Sequence, residues 1–331
     1  MLFSYKFYRA KTLTISDYHA PLGFRNGHRQ SIFPTIFRKV KGVNYRRERI
    51  DTPDDDFLDL DWMAEKSDRR LVIISHGLEG NTTRAYVKGM VKAVTAAGFA
   101  ALAWNFRGCG GSINRRPRLY HSGSYQDLAA VIEHVFQNYN YREINLVGFS
   151  MGGNISLIYS GRKGSAVDPH IKKCVVFSVP CDLKASSKAI GKPGNRIYMK
   201  RFLRLLHAKI KAKKPDFPDL FADQDYTAIK NFYDFDNRYT APLHGFAGAE
   251  DYWRQCSSKQ FIKDIRIPTL LVSALDDPFL APACFPFAEA SANPQVTLET
   301  PRHGGHVGFV TFNRKNLYWS EARTVAFLQK V

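Results

Sequence analysis

No run of apolar residues in this 331-residue chain approaches the roughly 18 that a membrane-spanning helix needs. The longest near-candidate, Ala93 to Trp104, reads as the end of a helix, a turn at Gly98 and a buried strand. Near the start, Met1 to Lys11 mixes aromatic residues with Lys6, Arg9 and Lys11, and no apolar stretch precedes a small-residue cleavage site. A cytoplasmic location is the expectation. Cysteine is scarce: the five, at positions 109, 174, 181, 256 and 284, contain no C-x-x-C pair and leave one over. That argues against a disulfide framework or a zinc site and suits reduced thiols. Acidic residues are also in deficit, 30 Asp and Glu against 48 Lys and Arg, for a formal charge of +18. Such a field attracts polyanions, nucleic acid or acidic headgroups. No nucleic-acid module organises the charge, so the reading is a generally basic surface without a specific nucleic-acid partner, with peripheral contact to an anionic membrane still open. There is no internal repeat and no low-complexity tract.

What is present is ordinary for a soluble globular protein: 44% hydrophobic and 24% charged residues, in a length that suits one domain with insertions. After an irregular, aromatic-rich start, Asn44 to Ile50 and Phe57 to Trp62 alternate like an antiparallel hairpin turned by Pro53-Asp54-Asp55-Asp56. Strands and helices then alternate. Leu71–Ser75, Ala100–Trp104, Ile144–Val147, Cys174–Ser178, Thr269–Ser273 and Val296–Thr300 read as strands. Thr83–Ala97, Tyr125–Tyr139 and Leu317–Lys330 read as helices between or after them. Fully apolar strands separated by helices predict a mostly parallel central sheet covered on both faces, an α/β fold with N-terminal antiparallel strands. The rhythm breaks over about 181–267, which is basic, aromatic and proline-punctuated, with a helical stretch near Arg201 to Lys214. An insertion there is expected to form a lid over the C-terminal strand ends. The expected organisation is an N-terminal extension over 1–42 and a main domain over 43–331 that carries this lid.

The chemistry centres on Gly148-Phe149-Ser150-Met151-Gly152, a G-x-S-x-G turn between an apolar strand and a helix. Glycines let the backbone pass close while the serine hydroxyl stands clear of the sheet. A serine needs a base, and the base needs a group that fixes its tautomer. The order serine, acid, histidine belongs to one arrangement on a parallel sheet. Here Ser150 is followed by Asp276-Asp277-Pro278 and then by His303-Gly304-Gly305-His306. Asp277, a little past its strand, is the favoured acid and Asp276 the alternative, whose other task would be to cap or hydrogen-bond the turn. His306, among small neighbours, is the favoured base, and His303 is read as orienting its loop. The oxyanion hole is expected from the backbone amides of Met151 and of Leu78 in His76-Gly77-Leu78-Glu79-Gly80, with His76 supporting that loop. Arg107-Gly108-Cys109-Gly110-Gly111-Ser112 lacks the lysine of a phosphate loop and is not read as a nucleotide site. Ser122 or Ser124 is expected to cap the helix that follows, and His121 is read as structural. His28 has no assigned role. Lys209, Lys211, Lys213 and Lys214 read as a solvated helix end.

Dispersed motifs resemble the YheT-like branch of the α/β-hydrolases. They are Asn26-Gly27-His28-Arg29-Gln30-Ser31, His76 to Asn81, Asn105 to Cys109, Tyr120 to Gly123 and Gly148 to Asn154, then Tyr239 to Pro242, Ala274 to Phe279 and His303 to Phe309. Arg29, Asp55 and Gly110 depart from the pattern and none is a triad candidate. The resemblance implies an α/β-hydrolase fold and puts the triad on Ser150, Asp277 and His306. It implies a carboxylic ester hydrolase. Together with the serine constellation, the expectation is an acyl-enzyme mechanism on a small-molecule ester without metal or cofactor, with short or medium acyl chains if the insertion covers an aromatic-lined pocket. An acyltransferase with the same triad is the nearest alternative. A non-catalytic protein that holds anionic lipid or nucleic acid is a remoter one.

Overall fold

The structure is a computed structural model that describes residues 13–14, 16–63 and 69–330. The first twelve residues of the expected N-terminal extension lie outside the described residues, as does residue 15.

The chain enters through strand β1 (Leu13–Thr14) and helix α1 (Gly27–Phe37). This helix departs from the irregular start expected there. Its buried residues are Gly27, Gln30 and Pro34, while Ile36 and Phe37 face outward, so no apolar stripe at helical spacing announces it. Asn26 caps it by accepting from the Arg29 amide at 3.1 Å. The expected hairpin follows as β2 (Arg46–Asp51) and β3 (Phe57–Met63), paired antiparallel.

The alternating section then runs β4 (Arg70–Ser75), α2 (Ala85–Ala96), β5 (Ala100–Asn105), α3 (Tyr125–Asn138), β6 (Glu143–Phe149), α4 (Met151–Lys163) and β7 (Ile171–Phe177). After the insertion come β8 (Thr269–Val272), β9 (Val296–Glu299) and the closing helix Trp319–Gln329. Among the described residues nine strands form one sheet in the order β1-β9-β8-β7-β6-β4-β5-β3-β2. It is parallel from β1 across to β5, and β3 and β2 add antiparallel at the edge. Alternation along each strand divides its side chains between two cores. Leu71, Ile73, Leu102, Trp104, Leu146 and Val176 meet α3 and α4 on one face. Val72, Ile74, Ala103, Val147, Val175 and Phe177 meet α2 and the closing helix on the other. Both faces being covered, the strands are apolar throughout rather than alternating with polar residues.

Between β7 and β8 lie α5 (Leu183–Ile190), α6 (Arg196–Lys213), α7 (Phe232–Phe235), α8 (Ala241–His244) and α9 (Ala249–Cys256). These helices have a core of their own around Met199, Leu203, Leu206, Ile210, Phe221 and Tyr239, joined by Leu119 and Phe279 from the sheet-bearing part. Along α6, Met199, Leu203, Leu206, Ile210 and Lys213 recur at helical spacing on one buried face. The reading of its end as solvated is corrected on this point. Lys209 and Lys213 are buried, because their stems follow that apolar face and their ammonium groups find acceptors inside. Lys209 meets Glu79 at 3.1 Å, and Lys213 donates to the carbonyl oxygens of Asn114 and Arg116.

The glycine-rich loop after β5 has a mechanical role. Arg107, buried, binds Asp54 at 2.7 Å, Asp56 at 3.2 Å and Asp127 at 2.7 Å, so it ties the hairpin turn to the start of α3. Its charge holds the Asp54 carboxyl down at about 2. Replacing Arg107 with Ala strands Asp56 and Asp127 inside without a counter-charge. The expected loss is about 3–5 kcal/mol of folding free energy, as when one partner of a buried pair is removed. Urea unfolding of Arg107→Ala measures it, and a loss below about 1 kcal/mol, the scale of an exposed pair, contradicts the tie.

Candidate active site

β6, the central strand, delivers Ser150 at its C-terminal end in a conformation that side chains rarely adopt, φ 52° and ψ −116°. The strain is tolerated because strand and helix close tightly around it. The Ser150 amide continues the sheet by donating to the Phe177 carbonyl at 2.8 Å. A Cβ on Gly152 would fall 2.4 Å from the carbonyl oxygens of Ser75 and His76, and one on Gly148 would fall 2.6 Å from that of Gly152. The glycines of the motif are therefore spaces that the backbone occupies.

His306 stands against this serine, its Nε2 2.9 Å from Ser150 Oγ. Its Nδ1 lies 2.9 Å from Asp277 Oδ2 and 3.1 Å from Oδ1. The Asp277 side chain is fully buried and also accepts from the Phe279 amide at 2.8 Å. An ionised Asp277 accepts from Nδ1–H, which leaves Nε2 bare to accept the serine proton. Asp276 does something else. Its Oδ1 accepts from the Gly305 amide at 2.8 Å and its Oδ2 lies 3.2 Å from His303 Nδ1, so this second pair braces the histidine loop.

That loop bends through positive φ at Gly304, Gly305, Val307 and Phe309. Val307, β-branched, is held there by donating its amide to Ser178 Oγ at 2.9 Å. Sequence reasoning gave no task to Gln30 and Ser31, although they lie in a quoted motif. Ser31 Oγ accepts from the His306 amide at 2.8 Å, and Gln30 Oε1 from the Val310 amide at 2.9 Å. The start of α1 is pressed against the acid turn, for a Cβ on Gly27 would fall 1.9 Å from the Asp276 carbonyl oxygen. The signal was in the chain as a glycine beside Gln30 and Ser31, but nothing local says what they touch.

Leu78 and Met151 line the same cavity as Ser150. Among the described residues their amides have no acceptor, and Met151 is the first residue of α4, where a helix leaves its amides unpaired. The Leu78 loop is held from both sides. Gly77 donates to Tyr86 Oη at 2.9 Å and Glu79 to Tyr120 Oη at 3.0 Å. His76 is wholly buried, with Nε2 accepting from the Phe106 amide at 3.1 Å and Nδ1 2.7 Å from the Gly77 carbonyl oxygen. Burial presses its pKa down to about 3, so it braces the loop as a neutral ring.

The cavity encloses about 810 Å³, open solvent at its mouth included. Apolar side chains such as Leu183, Ile190, Leu206, Phe232 and Phe235 make up much of its wall. His121 lies there too. Its Nδ1 accepts from the Gly123 amide at 3.1 Å, and burial first, then His244, keeps it neutral. Ser124 stands at the cap position of α3, but its hydroxyl accepts from the His121 amide rather than from the helix. His28 contacts Tyr198 Oη at 3.1 Å, joining α1 to α6. One acid faces the apolar wall: Asp236, buried, accepts from Thr240 Oγ1 at 2.6 Å and from Trp253 Nε1 at 2.8 Å.

The sheet, the turn order and the Ser150–His306–Asp277 contacts define a class of protein, and comparison with known proteins agrees. A profile described as alpha/beta hydrolase fold matches residues 70–312. The chain belongs to the α/β-hydrolase family, in its YheT-like branch. It is 34% identical over 293 residues to the protein named "Putative esterase YheT" from Escherichia coli, covering 87% of this chain and 85% of that one. It is 30% identical over 290 residues to Phospholipase ABHD3 of Mus musculus, covering 85% and 70%. The esterase Pf2001 of Pyrococcus furiosus shares the fold, with a TM-score of 0.58 at 21% identity over 87% of this chain and 90% of that one.

Asp236 sets a pH dependence. Burial raises its pKa from 3.8 to about 7, against the two hydrogen bonds it accepts. Well below pH 3.8 it is protonated whether the chain is folded or not, and its contribution to stability is complete. As pH rises towards 7 the unfolded chain ionises while the folded one holds its proton, so stability falls, and the loss levels off above about 7. Asp236→Asn keeps partners for both Thr240 and Trp253 without titrating. The stability of the natural protein relative to Asp236→Asn is expected to fall by up to about 4 kcal/mol from pH 4 to pH 8. Denaturant unfolding at a series of pH values reads it, and a flat difference refutes the assignment.

Proposed function

We propose that this protein hydrolyses carboxylic esters through a covalent acyl-enzyme on Ser150. The observation that carries the reading is the imidazole of His306, 2.9 Å from a strained serine hydroxyl and 2.9 Å from a buried carboxylate. Relatives named as an esterase and a phospholipase support the same class of chemistry. Ser150 Oγ attacks the ester carbonyl carbon while its proton passes to His306 Nε2, and the imidazolium is stabilised by Asp277. The carbonyl oxygen takes up negative charge and is held by the amides of Leu78 and Met151, donors fixed before the reaction and worth about 3 kcal/mol each. The tetrahedral intermediate expels the alcohol, which collects the proton from Nε2. Water then repeats the sequence on the acyl-enzyme, giving the acid and restoring the serine.

The helices between β7 and β8 act as the lid over this site, and the apolar cavity beneath them takes the acyl chain. Each methylene that leaves water there contributes about 0.8 kcal/mol, so affinity rises with acyl length until the finite cavity is filled, and short to medium acyl groups are the proposed substrates. Among the described residues no helix is long and apolar enough to cross a membrane. The five free, buried thiols suit a reducing compartment, the cytoplasm.

Ser150→Ala is expected to lower kcat/KM for p-nitrophenyl butyrate by ~10⁶-fold, the scale seen when such a nucleophile is removed. It should also abolish labelling by a fluorophosphonate. Unchanged turnover by pure Ser150→Ala protein rejects the mechanism. Product analysis in the presence of an added alcohol separates hydrolysis from acyl transfer.

A further inference from the structure

Two cavities meet at Ser150. Besides the apolar one, a second opens beside the Leu78 loop, between α1 and α6, and its wall includes Ser150, His306, Tyr198, Arg84 and Arg201. Its fixed charge is largely uncompensated. Arg84 gives one hydrogen bond to the Glu79 carbonyl oxygen at 3.1 Å. Arg201, half-buried, has no hydrogen-bond or ion-pair partner among the described residues. The carboxylate of Glu79, in the same wall, is already taken by Lys209 at 3.1 Å and by the Tyr120 hydroxyl. Burial first, then the charges of Arg84 and Arg204, holds the Arg201 guanidinium below its ordinary pKa. The Glu79 carboxylate offsets this only in part, and folding alone does not favour an arginine that repels two neighbours and forms no ion pair among the described residues. Such costs concentrate where a ligand supplies the missing charge.

We propose that Arg201 and Arg84 form an anion subsite for the alcohol portion of the substrate, so that the preferred ester carries a phosphate or a carboxylate on the alcohol it releases. The inference rests on Ser150 as nucleophile and adds the substrate class. The division of the two cavities follows from their walls. The first cavity has no arginine in its wall and suits an alkyl chain, whereas the second adds to its apolar side chains two guanidinium groups, whose planar forks match the oxygens of a carboxylate or phosphate. His306 borders the arginine-lined cavity as well, where the departing alcohol oxygen must collect its proton.

The test compares three esters with one acyl group: 1-butyrylglycerol, 1-butyrylglycerol 3-phosphate and O-butyrylglycolate. At low salt, kcat/KM for at least one anionic ester is expected to exceed that for the neutral ester by about tenfold, the worth of one charge-assisted hydrogen bond. The ratio should fall towards one in Arg201→Gln and recover in part in Arg201→Lys. Preference for the phosphate assigns the subsite to phosphorylated alcohols, and preference for glycolate assigns it to hydroxy acids. Equal or better use of the neutral ester overturns the proposal, as does a ratio that Arg201→Gln leaves unchanged. A second measurement does not depend on turnover. Calorimetric binding of glycerol 3-phosphate and of glycolate to Ser150→Ala protein should give at least one signal that is lost on adding Arg201→Gln, or Arg84→Gln if the first variant does not fold. Absence of binding by either anion sinks the subsite even where esters are cleaved. Binding without any esterase activity or fluorophosphonate labelling instead rejects the hydrolase reading and leaves the anion subsite standing.

Discussion

Everything distinctive about this molecule depends on one imidazole held between a hydroxyl and a buried carboxylate. His306 meets Ser150 across 156 positions of sequence and Asp277 across 29. Each of the three comes off the end of a different parallel strand, β6, β8 or β9, so the sheet brings them together. What the sheet cannot supply is final orientation, and the loops supply that. The His306 loop is fixed by Asp276 from one side, by Ser31 of α1 from another and by Ser178 from beneath. A base within hydrogen-bond reach of its proton needs this kind of over-determined support, since a small misplacement costs heavily in rate.

The segment between β7 and β8 contributes the wall of the site rather than its reacting atoms. Its core is separate from the two sheet cores and meets them through Leu119 and Phe279. Phe279 lies two residues from Asp277, and its ring centroid is 4.3 Å from that of His306. The packing of these helices is thereby linked directly to the His306 ring. Polar ties reinforce the link, with Lys209 reaching Glu79 in the loop that carries Leu78, and Lys213 reaching the loop after β5.

Beside the many basic residues on the surface, two inner groups differ in how their charge is met. Arg38, Arg107 and Lys209 are buried against Glu321, three aspartates and Glu79, where they hold elements together. Arg84 and Arg201 have no such carboxylate and face a cavity that contains the serine. Buried charge that is neutralised belongs to the architecture, and charge left over beside the proposed nucleophile is what the proposed anion subsite rests on.

Much of this was legible in the residues. Strands of β-branched and aliphatic side chains cut by glycine read as a covered parallel sheet, because a strand buried on both faces has no polar positions to show. The elbow around Ser150, the acid after a strand and the histidine among glycines could be placed for the same reason, since each is set by local backbone needs. Helix α1 could not, as it buries Gly27, Gln30 and Pro34 instead of an apolar stripe. Neither could the burial of Lys213, whose ammonium group is satisfied by carbonyls from a loop about a hundred residues away. The sequence by itself determined the fold class and the candidate reacting residues, because periodicity and turn chemistry are local. Only the tertiary structure decided which serine and glutamine brace the loop, which lysines go inside and which arginines remain unpaired, because partners distant in the chain leave no trace in spacing.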